Sequence, residues 1–173
     1  MARLRGRCKQ VSQIVRRLCD ANDIQQQSGA IVMTRTGGCN CGAVRFEITQ
    51  DPDHVHACHC GMCRRFSGGV FLGVEVPADQ VRFDTEEGLA VYRSSDWAER
   101  AFCKSCGSSL FYRLTAPGPM NGVCYIGIGT LDDANGLPLT GEIYIDCKPD
   151  GYAFAGNTDK KTEVEMLAMF SAP

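Results

Sequence analysis

Seven of the eleven cysteines in this chain of 173 residues fall into three closely spaced groups. These are Cys39 and Cys41 in GGCNCG, Cys58, Cys60 and Cys63 in CHCGMC, and Cys103 and Cys106 in FCKSCGSSL. Thiols this close in sequence form disulfides within a group only with difficulty, whereas their thiolates converge readily on one metal ion. The neighbouring glycines permit the tight turns that such a site needs. The spacing therefore predicts metal ligation.

The number of ligands indicates two different kinds of metal site. Structural zinc sites are closed by four protein ligands, whereas catalytic zinc sites have three and keep one position open. The two outer pairs can close one site, which leaves Cys58, Cys60 and Cys63 as an open one. Spacing alone leaves other partitions and an iron–sulfur cluster possible. Zinc is favoured because thiolate clusters of this kind suit it.

An open site made of three thiolates favours thiol chemistry over water activation. Three thiolates around Zn²⁺ leave a net negative formal charge, so the metal acidifies bound water less than a three-histidine zinc does. An incoming thiol is the better match because zinc keeps thiols deprotonated near neutral pH. Arg64 and Arg65 follow the triad. They would offset its charge, bind a carboxylate of the thiol, or simply be exposed.

All three histidines of the chain, His54, His56 and His59, lie beside the triad in sequence. His59 stands between two of the cysteines, so we expect its ring to point away from the metal. A supporting hydrogen-bond role is the preferred interpretation of His59. His54 and His56 alternate around Val55 and would share one face of a strand. Metal ligation by either of them remains an alternative.

The composition argues against two classes of partner. A net charge of −2 gives no nucleic-acid signature. No apolar stretch approaches the ~20 residues that span a bilayer, so no membrane partner is expected. The cysteine count is odd, and the basic start is not followed by the apolar segment of a signal peptide. Metal ligation by reduced thiols then predicts a cytoplasmic protein.

The chain divides into a basic extension over residues 1–32 and a single domain over residues 33–173. Residues 1–32 carry a net charge of +4 and the remainder carries −6. A helical spacing joins Val11, Ile14, Val15 and Leu18. We expect a poorly ordered extension, or a chain that truly starts at Met33. An arginine-rich targeting helix is the alternative.

Short apolar stretches from Thr34 onward predict β-strands separated by turns rich in Gly, Pro and Asp. They are Val44–Ile48, Val70–Val76, Val81–Phe83, Leu89–Arg93, Ser109–Leu114, Val123–Leu131 and Glu142–Ile145. Near the C terminus, Thr162 and Glu165 stand in capping-box register before a short helix. Because no helices are predicted between the strands, we expect a mainly β, antiparallel domain.

A resemblance to a known family is carried by four segments: GGCNCGAVRFEI, CHCGMCRRFSGGVF, YRSSDWAERAFCKSCGSSLFYR and EIYIDCKPDGYAFAG. They resemble the successive signatures of the glutathione-dependent formaldehyde-activating enzyme family, which includes centromere protein V. The resemblance implies a mainly β, Mss4-like (β-tent) fold with two Zn²⁺ ions, one structural and one catalytic. It implies that the structural zinc is held by Cys39, Cys41, Cys103 and Cys106. The catalytic zinc would be held by Cys58, Cys60 and Cys63.

The implied reaction is condensation of glutathione with formaldehyde to S-(hydroxymethyl)glutathione, catalysed by a carbon–sulfur lyase. The expected partner is therefore a small thiol of the glutathione type. The sequence departs from the family at Glu142, where many members have histidine, and at Cys147, where serine is common. A zinc-stabilised binding module without catalysis, whose basic residues 1–32 contact a partner, is the alternative function.

Overall fold

The fold is given by a computed structural model, which describes residues 34–171. The extension expected over residues 1–32, including its helical pattern, lies outside the described residues. Within the described part the chain forms eleven short strands and two α-helices. The expected mainly β fold with a short C-terminal helix is confirmed.

The elements follow one another along the chain with short connections. The strands are β1 (Arg35–Gly38), β2 (Arg45–Ile48), β3 (Val55–Cys58), β4 (Phe71–Val76), β5 (Val81–Thr85), β6 (Leu89–Arg93), β7 (Ala98–Cys103), β8 (Ser109–Leu114), β9 (Cys124–Gly127), β10 (Leu139–Ile143) and β11 (Asp159–Lys161). The helices are α1 (Gly61–Ser67) and α2 (Glu163–Ser171).

The strands form two sheets. The smaller sheet has the order β1-β2-β5, and the larger has the order β11-β10-β3-β4-β9-β8-β7-β6. Every pairing is antiparallel except at one edge, where β10 runs parallel to both β3 and β11. The antiparallel expectation therefore holds for most of the domain. It is wrong at this edge, because β10 and β11 are joined by a crossover over residues 144–158 rather than by a hairpin.

One main hydrophobic core joins the two sheets. It contains buried side chains of β2, β4, β7, β8 and β9, among them Phe46, Val74 and Ile126. Phe83 of β5 makes ring contacts with Phe46 and with Phe111 of β8, at centroid distances of 6.3 and 6.0 Å. These contacts bury apolar area from both sheets, which is the main source of stability in a domain of this size.

A smaller apolar cluster lies apart from the main core, around two of the cysteines. Cys58, Cys63 and Phe71 are buried in it. Five partly buried side chains pack against these, namely Cys60, Tyr112, Tyr125, Ile143 and Tyr144. Their packing places Cys58 and Cys63 in largely apolar surroundings.

Several predicted elements differ from the structure at their ends. The strand predicted over Glu142–Ile145 ends at Ile143, because Tyr144 adopts left-handed backbone angles with φ 56° and a short 3₁₀ turn follows. Helix α1 was not predicted, since it has only seven residues. At α2 the capping box is confirmed, with Thr162 N donating to Glu165 Oε2 (2.7 Å) and Glu165 N donating to Thr162 Oγ1 (3.4 Å). No helix in residues 34–171 is long and apolar enough to cross a membrane.

Candidate metal centres

The structure brings together the two outer cysteine pairs at the ends of two β-turns. Cys39 and Cys41 lie in the turn between β1 and β2, whereas Cys103 is the last residue of β7 and Cys106 lies in the turn between β7 and β8. Their four sulfur atoms all lie within 4.8 Å of one another. We call this group the four-cysteine cluster. It connects the small sheet to the large one.

Backbone geometry and hydrogen bonds shape the four-cysteine cluster. Gly42 and Gly107 follow the two pairs with φ near +80° and +76°, a conformation that side-chain-bearing residues rarely adopt. Val44 N donates to Cys39 Sγ at 3.2 Å. Hydrogen bonds with Ser108 lower the pKa of the Cys106 thiol to about 5. The turn around Cys106 therefore favours thiolate sulfur there. At Cys41 a backbone hydrogen bond from Ala43 acts to lower the pKa, but hydrogen bonds with the Cys39 and Cys106 thiols outweigh it and raise the pKa to about 12.

The sulfur spacing of the four-cysteine cluster fits a tetrahedral zinc ion. Cys39 Sγ lies 3.5 Å from Cys41 Sγ, which lies 3.7 Å from Cys103 Sγ. Tetrahedral coordination at a Zn–S distance of about 2.3 Å separates neighbouring sulfurs by roughly 3.8 Å. Four converging thiols at this spacing can hold a metal ion.

A second group of sulfurs forms where strand β3 runs into helix α1. Cys58 ends the strand, Cys60 is the N-cap of the helix, and Cys63 lies in its first turn. Cys63 N donates to Cys60 Sγ at 3.4 Å, so the helix start positions both thiols. The three sulfurs lie within 4.8 Å of one another. We call this group the three-cysteine cluster.

The thiols of the three-cysteine cluster perturb one another strongly. Hydrogen bonds with Cys58 and Cys63 lower the pKa of Cys60, whereas the hydrogen bond with Cys60 is the largest cause that raises the pKa of Cys58. A negative charge placed on one sulfur therefore disfavours charge on its neighbours. A bound cation would remove this repulsion, and thiolate sulfur is a ligand type that suits zinc.

Arg100 of strand β7 contacts the three-cysteine cluster and was not found from the sequence. Its Nη2 donates to Cys63 Sγ at 3.5 Å, and the residue is only 5% exposed. Its guanidinium also lies over the rings of Phe66 and Tyr112, 5.6 and 5.2 Å from their centroids. A buried arginine facing thiols offsets their negative charge. In the sequence Arg100 stands between Glu99 and Ala101, outside every predicted strand, so no local pattern marked it.

His59, which lies between Cys58 and Cys60 in sequence, is held by hydrogen bonds to side chains outside the three-cysteine cluster. Its side chain is fully buried, with Nε2 3.0 Å from Glu142 Oε2 and Nδ1 2.8 Å from the hydroxyl of Tyr152. Glu142 also accepts from Thr158 Oγ1 at 2.5 Å. Burial acts to raise the pKa of Glu142, but hydrogen bonds from Thr158 and His59 outweigh it and the pKa is lowered. The expected hydrogen-bond role of His59 is confirmed.

The remaining candidates lie elsewhere. His54 pairs with Asp53, and neither His54 nor His56 belongs to a group of converging ligands in the described residues. Arg64 Nε donates to the carbonyl of His59 at 2.9 Å and so stabilises the connection between β3 and α1. Cys124 is buried in the main core, as expected of a small apolar residue.

A third convergent group is formed by Asp146, Cys147 and Glu163, whose ligand atoms also lie within 4.8 Å of one another. Asp146 Oδ1 accepts from the backbone N–H of Glu163 at 3.0 Å. Asp146 therefore satisfies a free amide at the start of α2, which accounts for its position without a metal. Cys147 lies in the 3₁₀ turn that precedes this helix, half-buried.

Comparison with known proteins places these clusters in a family. The chain is 29% identical over 134 residues to an uncharacterized lyase of Schizosaccharomyces pombe, covering 76% of this chain and 93% of that protein. Two relatives are provisionally named glutathione-dependent formaldehyde-activating enzymes. The protein of Penicillium rubens is 33% identical over 100 residues, and that of Halomonas elongata is 31% identical over 87 residues. These matches cover 55% and 46% of this chain.

The chain spans about half the length of the latter two relatives, 52% and 55% respectively. Among solved structures, a Rhodobacter sphaeroides protein aligns with a TM-score of 0.47 at 22% identity, over 61% of this chain and 99% of that one. The sequence profile of the glutathione-dependent formaldehyde-activating enzymes matches residues 34–147, which include all seven clustered cysteines. The chain belongs to the glutathione-dependent formaldehyde-activating enzyme family.

Proposed function

We propose that this protein is a zinc-dependent carbon–sulfur lyase that joins a small thiol, such as glutathione, to formaldehyde. The three-cysteine cluster carries this proposal. Three sulfurs converge within 4.8 Å, and no further His, Cys, Asp or Glu ligand atom in residues 34–171 joins them. Three protein ligands with one open position are the pattern of catalytic zinc sites. The family and the names of the Penicillium and Halomonas relatives support the same substrates.

The two clusters would hold zinc in different roles. Cys39, Cys41, Cys103 and Cys106 would close a structural site. Cys58, Cys60 and Cys63 would hold the catalytic ion. Bound there, zinc supplies the Lewis acidity that keeps a substrate thiol deprotonated near neutral pH.

The side chains around the three-cysteine cluster prepare it for a thiolate substrate. Arg100 donates to Cys63 Sγ and so offsets part of the negative charge of the protein thiolates. Phe71, Tyr112 and Tyr144 pack around the sulfurs and limit the access of water. Exclusion of water strengthens the attraction between the guanidinium and the sulfur charge.

The reaction needs no oxidant or reductant. A carbon–sulfur bond forms between the thiolate sulfur and the carbon of formaldehyde, and the carbon–oxygen double bond becomes a single bond. The proton released by the thiol is matched by the proton taken up at the new hydroxymethyl oxygen. The site therefore has to bind, deprotonate and orient the thiol, which effects of position and charge can achieve.

The test is turnover of glutathione and formaldehyde above the spontaneous rate of this condensation. The purified protein should accelerate formation of S-(hydroxymethyl)glutathione, and Cys60→Ser should return the rate to the spontaneous one. Cys124→Ser removes a cysteine outside both clusters and should keep full activity. If the zinc-loaded protein gives no acceleration while both clusters bind metal, the lyase proposal is wrong. A binding module would then be the better interpretation.

A further inference from the structure

A pocket with a volume of about 280 Å³ adjoins the three-cysteine cluster. Helix α1, which carries Cys63, also supplies three of its lining residues, and strands β6 and β7 with the turn between them supply the rest. The lining residues are Met62, Arg65, Phe66, Tyr92, Ser94 and Arg100. The family match and the proposed zinc ligands leave this pocket without a role.

Arg100 connects the pocket to the sulfur atoms. It lines the pocket and, through Nη2, lies 3.5 Å from Cys63 Sγ. Its Nε is buried and has no hydrogen-bond partner in the described residues. A buried N–H without a partner is costly and is usually satisfied by a ligand or by water. The guanidinium of Arg100 therefore contributes a positive charge both to the pocket lining and to the site where the substrate sulfur would bind.

Arg65 adds a second positive charge to the lining of the pocket. Its guanidinium is folded back over the start of α1, since a Cβ atom on Gly61 would come within 3.1 Å of Nη1. Within residues 34–171 Arg65 forms no ion pair. Arg64, by contrast, uses its Nε on the carbonyl of His59. The two neighbouring arginines thus have different surroundings, and of the two only Arg65 lines the pocket.

Within residues 34–171 no acidic residue lines the pocket to balance these charges. Glu99, which precedes Arg100, accepts from Arg113 Nε at 2.7 Å on the other side of the strand. Met62, Phe66 and Tyr92 give the pocket apolar walls. Two guanidinium groups and a serine hydroxyl between apolar walls match a carboxylate carried on a short carbon chain.

We propose that this pocket binds a carboxylate of the thiol substrate, and that Arg65 determines the preference for carboxylate-bearing over neutral thiols. The inference rests on the proposed function, because the thiol must bind at the three-cysteine cluster for its carboxylate to reach the pocket. Arg100 lies between the two sites and restrains both ends of the ligand. The substrate class is therefore a thiol whose carboxylate lies several bonds from the sulfur.

The test compares two thiols of the same shape, 3-mercaptopropionate and its neutral amide, with formaldehyde as the second substrate. Arg65→Gln should raise the KM for the acid roughly tenfold, the scale of one charge-assisted hydrogen-bonded pair, with little change in kcat. The KM for the amide should change less than about twofold, because the amide carries no charge for Arg65 to bind. Arg65→Lys should restore part of the preference. Arg82→Gln, at an exposed arginine of β5 outside the pocket, is the matched control and should change neither KM.

The outcomes separate the two proposals. Equal KM values for acid and amide in the wild type, or an equal change of both in Arg65→Gln, would overturn the carboxylate pocket and leave the lyase function standing. Absence of turnover with every thiol would overturn the lyase function. In that case calorimetric titration of the zinc-loaded protein with the two thiols still decides the inference. A preference for the acid that Arg65→Gln removes would support the pocket, and equal binding of both thiols would refute it.

Discussion

The four-cysteine and three-cysteine clusters use the same side chain and differ in what surrounds it. The first is formed by two β-turns, and two of its thiols, Cys41 and Cys106, are exposed. The second is largely buried, begins a helix, and receives a hydrogen bond from Arg100. In the described residues no arginine donates to a sulfur of the four-cysteine cluster. Neighbouring charge and burial, rather than the ligand type, therefore distinguish the two clusters.

The clusters also differ in what they connect. Cys41 and Cys103 are 62 residues apart in sequence, and their sulfurs lie 3.7 Å apart. A metal there would close a long loop and tie the small sheet to the large one. The three-cysteine cluster spans only Cys58 to Cys63, so a metal there would constrain little beyond a local turn. Loss of metal should therefore affect the two regions very differently.

The largest expected effect is on stability, at Cys103. This side chain is fully buried, and Cys103→Ser would remove one of four proposed zinc ligands. We expect the free energy of unfolding to fall by about 3 kcal/mol or more, because the binding energy of a structural metal contributes directly to folding. Denaturant unfolding measures the change, and elemental analysis should show one zinc fewer per chain. Cys124→Ser is the control, and an equally small loss in both variants would contradict the structural role.

The second largest effect is expected at Cys60, where a substitution should change activity much more than stability. Cys60→Ser should reduce turnover to the spontaneous rate while lowering the free energy of unfolding by only about 1 kcal/mol, since a small local turn loses its metal. Measurements of turnover, zinc content and denaturant unfolding on one preparation check all three effects. If Cys60→Ser lowered the free energy of unfolding as much as Cys103→Ser does, both clusters would be structural. The proposed difference between the clusters would then be wrong.

The convergence of the cysteines was easier to predict from the sequence than their surroundings. The seven cysteines and their grouping were evident because metal-binding spacing is local, and the Thr162–Glu165 capping box was found for the same reason. Arg100 was missed because its contact with Cys63 depends on β7 and α1 meeting across 37 residues. The parallel edge at β10 was missed because the alternation of apolar residues does not report the direction of a partner strand.

A smaller effect is expected from Glu142→Gln, which should change the rate of zinc release from the three-cysteine cluster only. Glu142→Gln keeps the shape of the side chain but removes the charge that faces His59 and Lys160. His59 lies between Cys58 and Cys60, so we expect zinc to leave this cluster about tenfold faster, at the lower end of the usual range for supporting residues. Release to a competing chelator should show two phases, of which only one accelerates. Asp79→Asn, at an exposed carboxylate before β5, is the control, and acceleration of both phases or of neither would refute local support.

The smallest effect concerns the arginine beside the four-cysteine cluster. Arg45 follows Val44, whose N–H donates to Cys39 Sγ, but its Nη1 donates to Asp132 Oδ1 at 2.9 Å rather than to sulfur. This hydrogen bond lowers the pKa of Asp132. Both partners are more than a third exposed, so Asp132→Asn should cost less than about 1 kcal/mol at pH 7.

The pH dependence of that cost follows from the lowered pKa. The ion pair stabilises the folded state above the ordinary aspartate pKa, and this stabilisation is lost as the pH falls through the lower pKa of folded Asp132. The difference in unfolding free energy between wild type and Asp132→Asn should therefore shrink toward zero in acid, as measured by denaturant unfolding across that range. A difference that persisted in acid would show that Asp132 acts through Thr36 Oγ1, which donates to Oδ2 at 2.6 Å, rather than through Arg45. The charge of Arg45 would then contribute nothing measurable beside the four-cysteine cluster. The difference in charge between the two clusters would rest on Arg100 alone, which donates to Cys63 Sγ.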